Sequence, residues 1–394
     1  MRNGGVTRRD KAKGINIGTK KQFVISERQF ILSKIDARNG AMGIVPESLQ
    51  GAIVTQDFLA YDIDATKVNP QYLVLVSTTK QFIDYCQSCS SGTTNRQRVD
   101  ESAFLNIRIP VPPISEQNKL VEEYDQAILN STSICSRIYG RQRDIAIKLL
   151  EDLGISVLRK RRSSDECYTR LAFMSFSKMQ NWSAEVYVQE DCYKSAVYPV
   201  ASLNNNPPLY VDIFRGKSPK YENNTNTFIL NQKCVRWGKI DKIYAKSVDA
   251  KWLEQIDPCF FTREGDVLIN STGEGTIGRA SVVDKDNVGL LYDSHILLVR
   301  LNLELINPEY FVAVFNSEYG QEQVNNVKSA QSTKQTELGI GNLKRIFFPI
   351  PPIEVQDKIA KDRQEIHRQN EQDEQLQLQM EKQAIVNFET QIFE

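Results

Sequence analysis

The sequence predicts an α+β fold: two mixed α/β modules alternating with two long helices packed as an antiparallel coiled coil. Three observations predict it. A proline element occurs twice, as Ile109-Pro110-Val111-Pro112-Pro113-Ile114 and as Phe348-Pro349-Ile350-Pro351-Pro352-Ile353, followed by Gln117 and Lys119 or by Gln356 and Lys358. Each copy closes a stretch of short β-branched and aromatic runs set between turn residues, the pattern of strands. Each copy opens a long polar stretch of helical composition. Proline fixes φ and lacks an N–H, so paired prolines end a strand and are tolerated at a helix start but not inside a helix.

The duplication extends backwards from the prolines. Asn69-Pro70-Gln71-Tyr72 lies over Asn307-Pro308-Glu309-Tyr310, and Phe58-Leu59-Ala60-Tyr61 over Ile296-Leu297-Leu298-Val299. Phe30-Ile31-Leu32 lies over Val267-Leu268-Ile269, and Ser91-Gly92-Thr93-Thr94 over Ala330-Gln331-Ser332-Thr333. Collinear matches of this kind mark an internal repeat.

Taken in order, residues 1–110 form the first module. Met1 to Lys21 is basic and has no apolar core, so no secretory signal is expected. Strand-like runs then extend from Phe23 to Ile109, the last of them Phe104 to Ile109. A turn falls at Arg38-Asn39-Gly40, and Leu73 to Cys86 reads as one short helix.

Residues 111–170 form the spacer. Positions spaced by three and four from Ile114 to Asp152 carry a mostly apolar seam, predicting a helix of about forty residues and roughly 60 Å. It should end near Gly154, before the basic run Arg159-Lys160-Arg161-Arg162. Residues 171–350 form the second module, with strands at Val197 to Leu203 and Thr227 to Leu230. Residues 351–394 form the distal helix. From Ile353 onward this segment has neither Gly nor Pro and is rich in Gln and Glu, which favour helix. Its seam of Ile359, Ile366 and Met380 is interrupted at Asp373, so the spacer helix is its natural partner.

The two modules differ at the front. The stretch Asn181 to Phe260 precedes the repeat in the second, against only 22 residues in the first. The front part of the first module is therefore expected to be missing. It would be supplied by a separate polypeptide, or else one competent half remains.

Composition limits the function classes. With 41% hydrophobic and 25% charged residues the chain fits a globular protein, and it has no apolar run of membrane-spanning length. Seven scattered cysteines fit reduced thiols and a cytoplasmic location. Cys86 and Cys89 form a single CxxC with no second pair to complete a zinc site.

Several motifs fall short of chemistry. Gly273-Glu274-Gly275-Thr276-Ile277-Gly278 nominally matches a dinucleotide fingerprint, but a strand pattern follows where the fingerprint needs a helix. Asn206-Pro207-Pro208-Leu209 resembles a base-flipping methyltransferase motif with Leu209 in place of the stacking aromatic. No phosphate-cradling loop is present. His295 lies in an apolar run and reads as core, and His367 lies on the distal helix. No catalytic residue, metal ligand or cofactor is expected.

The net charge of zero hides an uneven spread. A basic first module, a basic strip over residues 213–246 and an acidic tail suggest a local surface for a polyanion. Phe214, Tyr221, Phe228, Trp237 and Tyr244 alternate with that strip. Cations neutralise phosphates, while Asn, Gln, Arg and Thr read base edges. The candidate DNA-contacting residues are Arg8, Arg9, Lys11, Arg38, Thr93, Asn95 and Arg96 in the first module. In the second they are Arg215, Lys217, Lys233, Arg236, Lys239, Thr333, Lys334 and Gln335.

The order of these features resembles a specificity subunit of type I restriction–modification systems. The resemblance rests on the doubled Pro-x-Pro-Pro-Ile-x-x-Gln before a long helix, on Gly265-Asp266-Val267-Leu268-Ile269 leading into a glycine-rich turn, and on Asn-Pro-x-Tyr. It implies two target-recognition domains separated by two antiparallel helices, each domain reading one half of a bipartite double-stranded DNA site. It also implies a non-catalytic subunit that recruits two S-adenosylmethionine-bearing modification subunits and the motor-nuclease subunits. Two other classes fit the residues more loosely: the recognition portion of a fused methyltransferase or nuclease, and a repeat-built protein scaffold.

Overall fold

The computed structural model describes residues 5–8, 21–91, 97–155, 193–222, 225–327, 329–330 and 336–394. They divide into two compact units, one of residues 1–138 with 371–394 and one of residues 139–370.

The first unit holds strands β1 (Gln22–Val24), β2 (Phe30–Ser33), β3 (Met42–Ile44), β4 (Ile53–Thr55) and β5 (Phe58–Tyr61). Helices α1 (Pro70–Thr78) and α2 (Lys80–Ser88), the hairpin β6 (Ser90–Ser91) with β7 (Arg98–Val99), and α3 (Glu101–Leu105) follow. The long helix α4 (Ile114–Asp152) begins here. Its sheet order is β3-β2-β5, all antiparallel, with β1 paired to β4 apart from it. Val6 packs on a small cluster with Phe58 and Ala60, so part of the basic lead contributes to the module.

The second unit holds β8 (Val200–Ser202), β9 (Tyr210–Arg215), β10 (Phe228–Leu230), β11 (Lys246–Ser247) and the short helix α5 (Ala250–Glu254). Strands β12 (Val267–Asn270), β13 (Ala280–Val282), β14 (Leu291–Tyr292) and β15 (Ile296–Leu301) come next. Helices α6 (Pro308–Asn316) and α7 (Glu318–Val327), the pair β16 (Ser329–Ala330) and β17 (Thr336–Glu337), α8 (Ile340–Leu343) and β18 (Phe347–Pro349) lead to the long helix α9 (Ile353–Phe393). The main sheet has the order β13-β12-β15-β9.

The repeat holds at the level of register. Phe30 faces Tyr61 and Ile44, as Val267 faces Val299 and Val282. The central strands β2 and β12 are fully buried, and α1 and α6 cover them with Tyr72, Val76, Tyr310, Phe311 and Phe315. The units differ where β9 adds to the edge of β15 and β8 pairs with β18. Among the described residues no strand of the first unit fills either place.

Two expectations need correction. Leu73 to Cys86 is not one helix but parts of two, because Thr79 is extended (φ −65°, ψ 148°) and its hydroxyl caps α2 at the Phe82 N–H. Phe104 to Ile109 is not a strand. Asp100 caps α3, which takes up its start, and among the described residues no strand pairs with the rest, whereas Phe347–Pro349 pairs with β8.

The doubled motif is explained by one contact set present in both units. Asn69 caps α1, its side chain accepting from the Gln71 and Tyr72 N–H groups, and Asn307 caps α6 in the same way. The fully buried Gln117 accepts from the Asn69 N–H (2.8 Å) and donates to the carbonyls of Lys67 (2.9 Å) and Pro112 (2.8 Å). Gln356, also fully buried, accepts from the Asn307 N–H (2.9 Å) and donates to the carbonyls of Leu305 (3.1 Å) and Pro351 (2.9 Å). The Tyr72 hydroxyl donates to the Pro110 carbonyl and the Tyr310 hydroxyl to that of Pro349. The last proline of each motif, Pro113 or Pro352, accepts the first N–H groups of the long helix, and these side chains supply donors to the proline carbonyls before it.

The two long helices touch within each unit, with residue numbers rising along one as they fall along the other. In the first unit Arg137 binds Asp373 through two bonds (3.0 and 2.8 Å), Cys135 meets Gln377, and Gln391 meets Glu123. Phe388 enters the core against Tyr72 and Tyr124. In the second unit Arg141 donates to Gln369 (3.2 Å) and Lys148 to Asp362 (3.5 Å). The spacer seam is buried at Gln117, Ser131, Ile138 and Leu149 but exposed at Gln142 and Asp152.

Candidate nucleic-acid interface

In the second unit the main sheet gathers its loops at one end. Arg215 ends β9, Ser294 and His295 lead into β15, and the glycine turn 273–278 joins β12 to β13. Gly216 is required there, since a side chain would collide with the carbonyls of Tyr292 and Asp293. Gly273 and Gly278 have φ of 98° and 82°, a region that favours glycine, so the motif is a tight turn and no cofactor loop.

A second loop closes over this turn. Residues 235–240 form a hairpin held by the Val235–Ile240 bridge and by the Arg236 N–H donating to the Lys239 carbonyl (2.9 Å). The Ser281 hydroxyl lies within hydrogen-bond reach of the Arg236 (2.9 Å) and Lys239 (3.0 Å) carbonyls, and the Gly238 N–H donates to the Ala280 carbonyl (2.9 Å). Trp237 stands at the tip, half exposed. The Arg279 guanidinium lies 5.7 Å from its ring and donates to the Gly275 carbonyl (2.6 Å), joining the hairpin tip to the glycine turn. Arg236 stacks on Tyr244 (4.7 Å) and Lys217 on Phe260 (3.7 Å). Cations over ring faces are attracted by the aromatic quadrupole, which helps to hold these two side chains in place.

The third loop is the β16–β17 hairpin. Glu337 forms an ion pair with Arg215, whose Nε also donates to the Ser294 carbonyl (3.0 Å), and the Leu338 N–H donates to the Ser271 carbonyl (2.8 Å). The hairpin root is thus tied beside the glycine turn. Its tip residues Thr333, Lys334 and Gln335 lie outside the described residues.

The first unit repeats this plan with different residues. Arg38 lies in the turn after β2 and donates to Gln97 (2.5 Å), at the root of the β6–β7 hairpin. Arg98 pairs with Asp57 (3.1 Å), and the Val99 N–H donates to the Lys34 carbonyl (2.9 Å). Arg8 is exposed. Arg9, Lys11, Thr93, Asn95 and Arg96 lie outside the described residues, as does the Arg159 to Arg162 run.

The structure brings Arg215, Lys217, Arg236 and Lys239 to one end of the second unit, with Lys233 exposed on the segment leading into the hairpin. Elsewhere in the basic strip Lys220 pairs with Asp249 (2.7 Å) and Lys242 donates to the Asp286 carbonyl (2.9 Å). His295 is corrected from core to surface. It is exposed at the start of β15, with Nδ1 2.8 Å from the Thr272 hydroxyl. Arg279 was missed by sequence reasoning; its place next to the glycine turn was the available signal. Cys86 is buried, its thiol pushed up to about 12 chiefly by desolvation, which suits packing and not metal binding. Leu209 is buried in the core, unable to stack on a base.

The Type I restriction modification DNA specificity domain matches residues 2–135 and 194–382. That covers most of the chain in both units, and the chain belongs to this family. The type I restriction enzyme EcoEI specificity subunit of Escherichia coli is 20% identical, over 75% of this chain and 59% of that protein's length. The chain thus spans about three fifths of the relative. A structure solved in a study of complex assembly and conformational transition of the type I R-M system shares the fold. It does so at a TM-score of 0.54 and 14% identity, over 93% of this chain and 82% of the other. No helix among the described residues is long and apolar enough to cross a membrane.

Proposed function

We propose that the protein is the sequence-specific, non-catalytic DNA-binding specificity subunit of a type I restriction–modification complex, acting in the cytoplasm on a bipartite target. Residues 1–110 and 171–350 are the two recognition modules. Residues 111–170 and 351–394 form an antiparallel coiled-coil spacer, which recruits two methyltransferase subunits and the motor-nuclease subunits.

One observation carries this reading. What the two units share is the junction between module and helix, built on Gln117 or Gln356. What differs is the loop end: Arg38 and its turn in one, the glycine turn, Trp237 hairpin and Arg215 in the other. A repeated frame with divergent basic loops is what a reader of two unrelated half-sites requires. Phosphate contacts position such a protein and base-edge contacts specify the sequence.

The test is to express the chain with a type I modification subunit and map methylated bases across a genome. Methylation at one bipartite motif, with DNA binding that falls steeply as salt rises, is expected. Methylation by the purified chain alone would favour the fused-enzyme reading.

A further inference from the structure

We infer that Gln117 and Gln356 are positioning residues for specificity: each locks its recognition module to its long helix and so sets the spacing at which the two half-sites are accepted. The inference rests on the bipartite reading above and goes beyond it, because it assigns gap selection to two buried side chains that touch no DNA.

Each glutamine ties the start of its long helix to the module before it. Gln356 lies in the first turn of α9, and its amide makes three contacts that join two pieces of chain: the loop between β15 and α6, at Leu305 and at the cap Asn307, and the helix's own lead at Pro351. Gln117 makes the same three contacts at Asn69, Lys67 and Pro112. One acceptor and two donors are thereby all used in each case. No shorter side chain spans these partners, and no apolar one satisfies them.

The neighbours reinforce the lock. Asn69 Nδ2 donates to Asn118 Oδ1 (2.8 Å), and Asn307 Nδ2 donates to Asp357 Oδ1 (2.8 Å). The prolines before each helix restrict φ but leave ψ open, so the peptide alone would still swing. The glutamine removes that freedom by tying the helix's first turn to the module's covering helix. The corresponding distances in the two units agree within a few tenths of an ångström, while the loops at the far end diverge. A joint kept this constant beside variable loops fits a demand on attitude.

The experiment uses the full chain with its modification subunit and a panel of duplexes. Each duplex carries the mapped half-sites separated by the native gap or by one or two base pairs more or less. Wild type should bind the altered gaps at least about tenfold more weakly, comparable to the cost of a mismatched pair. In Gln356→Met and Gln117→Met, which keep length and remove the hydrogen bonds, that ratio should drop below about threefold, with half-site sequence preference retained. Gln356→Glu sets a buried carboxylate against the Leu305 and Pro351 carbonyls and should relax the gap ratio at least as far as Gln356→Met.

Folded variants that keep the native gap ratio would overturn the inference and leave the DNA-reading assignment intact. Variants that fail to fold in all three forms would mark the glutamines as core elements only, also overturning it. A wild-type complex indifferent to the gap would instead overturn the bipartite reading itself.

Discussion

At the root of the loop end Asp293 is buried, and burial pushes its carboxyl pKa up, against the pull of the His295 N–H bonded to Oδ1 (3.0 Å). The folded chain therefore holds this proton more tightly than the unfolded chain. Its contribution to stability is greatest below the unfolded value of about 3.9 and declines as pH rises through the folded value. Asp293→Asn keeps the acceptor and removes the titration. Thermal midpoints of the two proteins should converge in acid and separate toward pH 7 with the Asn variant higher; a constant difference would show that the group does not titrate on unfolding. Trp237 and Lys233 give a contrast in binding. Lys233 is exposed, so alanine there should change stability by less than about 0.5 kcal/mol, whereas alanine at the half-exposed Trp237 loses the Arg279 contact and should cost about 1 kcal/mol. Lys233→Ala should weaken all DNA sequences alike and reduce the salt slope by about one, as loss of a phosphate contact does. Trp237→Ala should leave the slope unchanged and weaken the mapped target most, measured by titration at several salt concentrations. Equal losses on specific and random duplexes would remove Trp237 from the reading face. The sequence marked both residues through their alternation of charge and ring. It could not mark Asp293 or His295, whose exposure depends on which strands close over them.

Among the elements, the long helices were the most legible, because prolines set their starts and the absence of Gly and Pro carried α9 to its end. Asp373 was legible only as a break in the apolar seam. Its partner Arg137 lies 236 residues away, a distance at which composition says nothing. The pair is bidentate, with the arginine mostly exposed and the aspartate largely covered. Such a pair at a helix surface contributes about 0.2–1 kcal/mol. Replacing both partners, as Arg137→Met with Asp373→Leu, extends the seam and should raise the denaturant midpoint of the first unit or leave it unchanged. A clear fall would give the ion pair a larger share of stability than its exposure predicts. Strand pairing was the least legible feature. Phe104 to Ile109 has strand composition, yet a strand exists only when another supplies its hydrogen bonds, and β8 does so only for Phe347–Pro349. The hairpin that carries Trp237 and the tie between Arg215 and Glu337 are likewise products of distant segments meeting.

On the scale of the whole molecule, the proposed spacer makes a length prediction. Within each unit the contacts pair the two helices in one consistent antiparallel register: Arg137 with Asp373, Arg141 with Gln369, Lys148 with Asp362. Removing residues from one helix alone would slide every such contact out of register. Removing seven facing residues from each keeps the pairing and returns the seam to nearly the same face, since seven residues are close to two turns. The paired deletion shortens the spacer by about 10 Å. That is about three base-pair steps at roughly 3.4 Å each. If the helices hold the recognition modules apart on DNA, the methylated motif of the deletion protein should keep both half-sites and lose about three base pairs from its gap. Because three steps also rotate the duplex by about a third of its 10-base-pair turn, turnover should fall even where the new motif is recognised. Deleting seven residues from α4 alone should instead lower stability and abolish methylation without creating a new motif. Methylome mapping distinguishes these cases. A folded paired-deletion protein that methylates the original motif with its original gap would show that the helices do not measure the distance.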